Sequence, residues 1–433
     1  MMSVDYLHPV ERDIHDQVQT LQSGLIAPRF TSNGRSFLWL VLRGGLLQLL
    51  TAGFYRFWFL TNIRRRLWSA TSFDGDALEY TGLGRELLLG FLFAMAILAP
   101  LFLAYFVLGL EIERFKAFAS LPLTLFLYLF GQYAAYRARR YRLSRTVWRG
   151  VRFWMEKDAW KYAFLSTALF VRSVVTLWIA NPWRVAALER FKMRRTRYGH
   201  IQAGFEGTGW GLFKSALPLL FSGLVALIAV FVVMARMAIA IQQSAPRPEI
   251  RGGVLDYLSF GLFIGVVVVL WAAYQAVECR WFVNGVRIGG ASFQSAARKR
   301  RFIGLYFQFL VSAGAILVAI SAAVLGVLTL IVLGGRTLWF PSGSSAPVSN
   351  ELVAQLGQQL TVPILVSFAA VYLLAVTLIG AAYRYFLQHQ LWREIIETMT
   401  VRGIESLSEA HAAGEAASAL GEGMLDGLDM GGF

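Results

Sequence analysis

The chain has 433 residues, of which 57% are hydrophobic and only 15% charged, with a mean hydropathy of +0.54. A soluble domain carries about 25% charged residues, so this composition excludes a soluble globular protein and indicates a multi-pass membrane protein. The formal net charge is +15, but the basic residues sit beside long apolar runs, where they set topology and meet anionic headgroups, which argues against nucleic acid as a partner.

Residues 1–28 read as a polar tail. Asp5, Glu11, Asp13 and Asp16 interrupt any apolar core there, so no secretory signal is expected. Apolar runs follow at roughly 36–60, 86–110, 117–136, 162–183, 212–241, 254–276, 304–333 and 361–387. Each approaches or exceeds the ~20 residues that cross a bilayer. Basic residues concentrate in four stretches: 61–85, 137–161 with RARRYR, 184–214, and 277–301 ending in RKRR. The positive-inside rule places all four in the cytoplasm. Simple alternation cannot do so, because 137–161 and 184–214 flank the single run 162–183.

Runs 36–60 and 162–183 are both interrupted by arginine, at Arg43, Arg56 and Arg172. A central arginine costs about 2.5–3.5 kcal/mol on insertion scales. These two runs are therefore expected to enter the membrane without crossing, or to lie in its interface. Three crossing hairpins remain, 86–136, 212–276 and 304–387, and both termini stay inside. The alternative is eight crossings with one basic loop outside. PRPEIRGG and FPSGSSAPVSN read as external loops.

The same two runs carry an internal repeat. Thr51 is followed seven residues later by Trp58, and Thr176 by Trp183. Thirteen residues on stand Thr71 and Thr196, and nine further Tyr80 and Phe205, which open YTGLG and FEGTG. Arg65 and Arg190 share one register. A weaker copy runs from Trp271 through Asn284 to Phe293. Each copy predicts a basic helix, then a short strand segment, with a DG turn in the first. YRYFLQHQLWREIIETMTVRGIES reads as a degenerate copy without the GxG.

LLTAGFYRFW, RRRLWSATSFDGDALEYTG, ANPWRVAALERFKMRRTRYG, FEGTG and the acidic ending GEGMLDGLDMGGF together resemble the YjgN family of bacterial inner-membrane proteins. The likeness covers nearly the whole chain after about residue 29. It implies a bacterial inner-membrane location and carries over no reaction. It also implies a membrane zinc peptidase as a partner. The family shows Leu-Gly between the Thr and the Trp, whereas the copies here have Ala52-Gly53 and Leu177-Trp178.

No histidine sits in an HExxH arrangement, and neither a GxSxG nor a GxxxxGK[ST] loop is present. No catalytic residue, metal or cofactor is expected. The GxG turns precede membrane helices, where free N–H groups and the positive end of the dipole suit phosphate. With basic neighbours, Gly82, Gly84, Arg64, Arg65, Arg66 and Arg85 form one candidate site for an anionic phospholipid. Gly207, Gly209, Arg190, Arg194 and Arg195 form a second. The plainer reading of both is a tight turn feeding a helix. Arg43, Arg56 and Arg172 are intramembrane functional candidates, with snorkelling as the plainer reading, which also suits Arg236.

The expected fold is an all-α polytopic membrane protein. It has about six crossing helices, two re-entrant or interfacial segments, and small cytoplasmic β elements made from the repeat. In chain order it comprises a tail (1–28), repeat unit 1 (29–85), a hairpin (86–136), a basic loop with repeat unit 2 (137–211), and a hairpin (212–276). A degenerate unit 3 (277–303), a hairpin (304–390) and a C-terminal helix with an acidic Gly/Ala-rich tail (391–433) complete it. Two functions stay open: transport or handling of an anionic or lipid-like substrate, and a non-catalytic scaffold for a membrane partner.

Overall fold

A computed structural model describes residues 25–111, 116–244, 248–339 and 350–414. The tail up to residue 24, residues 245–247 and 340–349 (the latter nearly all of FPSGSSAPVSN) and the acidic ending from 415 lie outside the described residues. The rest of PRPEIRGG, expected as an external loop, is instead helical from Pro248. The chain divides into two compact units. One holds residues 60–303 with the segments before 33 and after 391; the other holds 33–59 and 304–391.

Helices dominate. They are α1 (Gly34–Leu50), α2 (Arg56–Ser69), α3 (Gly84–Glu111), α4 (Lys116–Ser144), α5 (Ala159–Val175), α6 (Asn181–Arg194), α7 (Gly209–Ser244), α8 (Pro248–Gly285), α9 (Lys299–Trp339), α10 (Asn350–Tyr383) and α11 (Leu391–Glu397). A π-helical segment, Arg384–Gln390, links the last two. Among the described residues five stretches are long and apolar enough to cross a membrane: Gly84–Val107, Gly209–Arg236, Gly261–Gly285, Lys299–Val327 and Val366–Glu397. They correspond to five of the six expected crossings. The sixth, 117–136, falls in α4, a helix of 29 residues whose last part is the basic RARRYRLS. Pro100 and Pro218 lie inside α3 and α7. Large apolar side chains such as Phe221, Phe231 and Val318 are exposed on these helices, as lipid-facing residues are.

The expectation of minor β elements in an all-α chain is corrected. The first unit contains twelve strands among its described residues, and nine of them form one antiparallel sheet. The strands are β1 (Leu25–Ile26), β2 (Arg29–Phe30), β3 (Thr71–Phe73), β4 (Asp76–Ala77), β5 (Glu79–Tyr80), β6 (Thr146–Trp148) and β7 (Val151–Met155). They continue with β8 (Thr196–Tyr198), β9 (Ile201–Phe205), β10 (Val286–Ile288), β11 (Ala291–Ser295) and β12 (Met399–Arg402). The large sheet runs β1-β12-β11-β10-β9-β8-β7-β6-β5, and a small one runs β2-β3-β4. Chain continuity joins the two at both ends. β1 passes into β2 through Ala27 and Pro28, and β4 passes into β5 through Leu78. The ladder therefore closes on itself, which leaves no long free edge to pair with another chain.

One hydrogen bond recurs at every junction of this ring. The N–H of the residue after one strand pair donates to the carbonyl just before the next. Thr81 donates to Arg145 (2.8 Å), Glu156 to Arg195 (3.1 Å), Glu206 to Gly285 (2.8 Å), Ala296 to Thr398 (2.9 Å) and Thr31 to Ala70 (2.9 Å). The last of these closes the circle. These bonds align Val286 and Ser295 with Thr196 and Phe205, rather than the Asn284 and Phe293 of the sequence reading.

Turn chemistry explains the hairpins. Asp74 and Gly75, and likewise Arg149 and Gly150, all have positive φ, as a tight turn matched to strand twist requires. A threonine stops the incoming helix at four of the five entries, Val286 standing at the other. The hydroxyls of Thr71, Thr146, Thr196 and Thr398 donate to the carbonyls of Leu67, Arg142, Lys192 and Glu394, at 2.9, 2.9, 3.0 and 2.6 Å. Two of these hydroxyls also accept from the indole of another helix: Trp68 of α2 on Thr146 and Trp392 of α11 on Thr71, both at 3.0 Å. Tyr198 is buried in the ring and donates to the Trp148 carbonyl at 2.9 Å. Burial pushes its phenol up to about 12, so it stays a neutral donor.

The two arginine-interrupted runs are both broken helices. α1 stops at Thr51, whose hydroxyl donates to the Leu47 carbonyl at 2.8 Å; α5 stops at Thr176, which donates to Arg172 at 2.9 Å. Ala52 and Gly53 in one break, and Leu177 and Trp178 in the other, have positive φ. Each helix pair also starts and finishes in one place. Thr31 bonds to Ala70 across the ends of α1–α2, and Glu156 bonds to Arg195 across those of α5–α6. The tips are apolar and exposed, with Leu50, Phe54, Leu177 and Ile179 more than half accessible.

In the second unit, α1 packs closely on its neighbours. Gly44 lies directly beneath the Phe59 ring, and a Cβ on Gly45 would stand 2.8 Å from Thr377 of α10. Phe37 stacks against the buried His389 of the π segment, with ring centroids 4.5 Å apart.

Candidate functional site

The two GxG turns sit where a strand hands over to a membrane helix, β5 to α3 and β9 to α7. The preceding aromatic explains the first glycine of each. Tyr80 and Phe205 are buried, and a Cβ on Gly82 or Gly207 would lie 2.6 or 2.5 Å from those rings. The second glycine of the second turn, Gly209, is pressed on Trp183, 2.6 Å from where its Cβ would be. So the aromatic-x-Gly pattern is first a packing device. The arginines in register meet it: Arg65 donates to the Gly82 carbonyl (3.3 Å) and Arg190 to the Gly207 carbonyl (3.2 Å).

The remaining candidates scatter. Arg64 is buried and reaches the Tyr80 hydroxyl at 3.4 Å. Arg66 and Arg85 are exposed, and Gly84 is buried at the first residue of α3. Arg195 is tied to Asp158 at 2.6 Å and lies over the Phe191 ring at 3.5 Å. Arg194 is exposed beside Gln202 and Arg287, in a shallow depression on the outer face of the sheet. Arg43 and Arg172 lie on exposed faces of α1 and α5, and Arg56 opens α2. The structure does not gather these three into one polar site.

What the second turn does adjoin is a polar cleft of about 600 Å³. Gly207, Thr208, Gly211 and Ser215 form one side, and Arg280, Trp281, Asn284 and Arg287 the other. Thr208 begins the α7 junction: its hydroxyl accepts from the Gly211 N–H at 3.0 Å, and its carbonyl accepts from the Trp281 indole at 3.0 Å. Arg287 pairs with Glu206 at 2.8 Å. Arg280 makes no ion pair among the described residues. The cleft thus joins a helix N-terminus, two arginines and small hydroxyls, a set that receives anions.

Sequence reasoning missed the acids of this layer. Glu86 pairs with Arg145 at 2.7 Å and accepts from the Tyr141 hydroxyl at 2.7 Å. Asp158 pairs with Arg195, and Glu189 with Arg139 (3.4 Å) and Lys192. Hydrogen bonds from Arg195 and Lys161 hold the Asp158 carboxyl below its ordinary value. Burial raises Glu189, but Lys192 and Arg139 outweigh it and hold the carboxyl low. The Glu189–Lys192 spacing on α6 was a legible signal for that pair. The others join residues far apart in sequence.

Comparison with curated proteins and with solved structures finds no match. A family model described as bacterial protein of unknown function (DUF898) matches residues 26–427. The helices and the closed ring lie almost wholly within that match, and the chain belongs to this family, which is the YjgN family.

Proposed function

We propose that this protein sits in the bacterial cytoplasmic membrane with both termini and the strand ring on the cytoplasmic side, and handles or transports an anionic, lipid-like substrate without catalysis. Six helices cross, and the α1–α2 and α5–α6 pairs dip into the membrane and return. The chain is a repeated helix–strand-pair unit, which the recurring junction bonds, threonine stops and arginine–glycine contacts support. The observation that carries the functional reading is the polar cleft beside Gly207, where Arg280 and Arg287 face the start of α7. It lies at the handover from ring to membrane helix, where a lipid headgroup would stand. Broken helices in corresponding positions are the usual companions of such a site.

The test is mass spectrometry of the protein released from mild detergent, reading bound lipids and proteins together. Anionic phospholipid is expected to be retained, and to fall by about tenfold (roughly 1.4 kcal/mol) in Arg280→Ala with Arg287→Ala. A stoichiometric partner, such as a membrane zinc peptidase, with no selective lipid would overturn this reading in favour of a scaffold.

A further inference from the structure

The strand ladder borders a second, separate cavity of about 340 Å³. Trp68 of α2, Leu143 of α4, Met193 of α6, Phe282 of α8 and Ile396 of α11 line it, so five incoming helix ends converge there. The segment 403–414 lies against the turns of the ring. Ser406 faces Gly290, Leu407 faces Gly289, the His411 carbonyl lies against Gly199, and Gly414 lies against Trp154. His411 donates its backbone N–H to His200 Nδ1 at 3.2 Å, and the two imidazoles stack. Ile404 and Leu407 of this strap contribute to the cavity wall.

The polar groups of the wall are already engaged. The indole N–H groups of Trp68, Trp148 and Trp392 donate to Thr146, the Asp76 carbonyl and Thr71. The Thr146 hydroxyl in turn donates to the Arg142 carbonyl. What remains for an occupant is hydrocarbon and ring faces. Water needs two to four polar partners, so a wall of this kind excludes it and accepts hydrocarbon. At the ~30 Å³ that a small liquid group occupies, the space takes a chain of about ten to twelve carbons. It is too small for the two chains of a phospholipid.

We propose that the ring interior is a binding chamber for a single alkyl chain, as in a fatty acid or single-chain lipid, with the 403–414 strap as its closure. This goes beyond the headgroup reading of the cleft and does not depend on it. The test uses the full chain in phosphatidylglycerol nanodiscs with a diazirine-bearing dodecanoic acid. After illumination, labelled peptides are located by mass spectrometry. Label is expected on residues 286–295 and 399–407. It should fall there at least about tenfold (roughly 1.4 kcal/mol) in Val286→Trp, while label on the Gly209–Arg236 span stays unchanged. Phe293→Ala, which enlarges the space, should gain labelling by a hexadecanoic probe. Label confined to the membrane spans would overturn the proposal, as would ring labelling indifferent to both substitutions. Neither result bears on anionic-lipid retention at Arg280.

Discussion

Single residues here serve packing before chemistry. Gly207 shows this most directly. Its sequence context, before a membrane helix and among arginines, suited a phosphate site, yet its missing Cβ makes room for the Phe205 ring. Its carbonyl, meanwhile, is taken by Arg190. Gly207→Val is therefore expected to destabilise the fold by about 1–3 kcal/mol through overpacking. Thermal unfolding in detergent reads this, and shrinking the ring in Phe205→Leu should recover part of the loss. An unchanged melt would return Gly207 to the role of a ligand-facing turn. Trp178 carries a different message: with φ +68 it occupies the left-handed region that glycine favours. The missing glycine noted in the second break has not removed the break.

At the scale of elements, the helices and the short strand segments of the repeats were legible, but the extent and pairing of the sheet were not. Long apolar runs identify themselves, and the conflict between charge and alternation marked 36–60 and 162–183 as exceptional. The strands have two to five residues each and, beyond the hairpin partner, pair across intervening helices. No single stretch of the sequence is long enough to show an alternating pattern. β6 and β7 were hidden further, because TVWRGVRFW lies in a stretch whose charge reads as a topology signal. The acids that tie the elements were equally distant in sequence. Asp158 and Arg195 pin the two ends of the α5–α6 pair together. Asp158→Asn should cost about 1–3 kcal/mol, the range for a charge-assisted hydrogen bond. Because this carboxyl is held low by Arg195 first and Lys161 second, its contribution is present above the unfolded value, near 3.9. It is lost as pH falls through the lower folded value. The gap in melting temperature between wild type and Asp158→Asn should stay level from about pH 7 to pH 5 and close below about pH 4. A gap independent of pH would remove the ion pair from the account.

At the scale of the whole molecule, the strand ladder matters because it closes. The C-terminal strand β12 pairs with the N-terminal β1, and Thr31 supplies the fifth junction bond. A chain read from its first residue to its last gives no sign that its two ends complete one ring. Closure bears on the proposed sidedness, since strands joined into one ring would all have to lie on the same side of the membrane. The central claim is that the α5–α6 pair enters the membrane and returns. With Cys279→Ser as background, Lys157→Cys and Arg194→Cys place one thiol on each flank of that pair. Labelling with a membrane-impermeant maleimide, in intact cells and in inverted membrane vesicles, compares the two flanks. Both positions should react only in inverted vesicles. Reaction of one position from each side would mean that 162–183 crosses, and would contradict both the re-entrant pair and a ring lying on a single face.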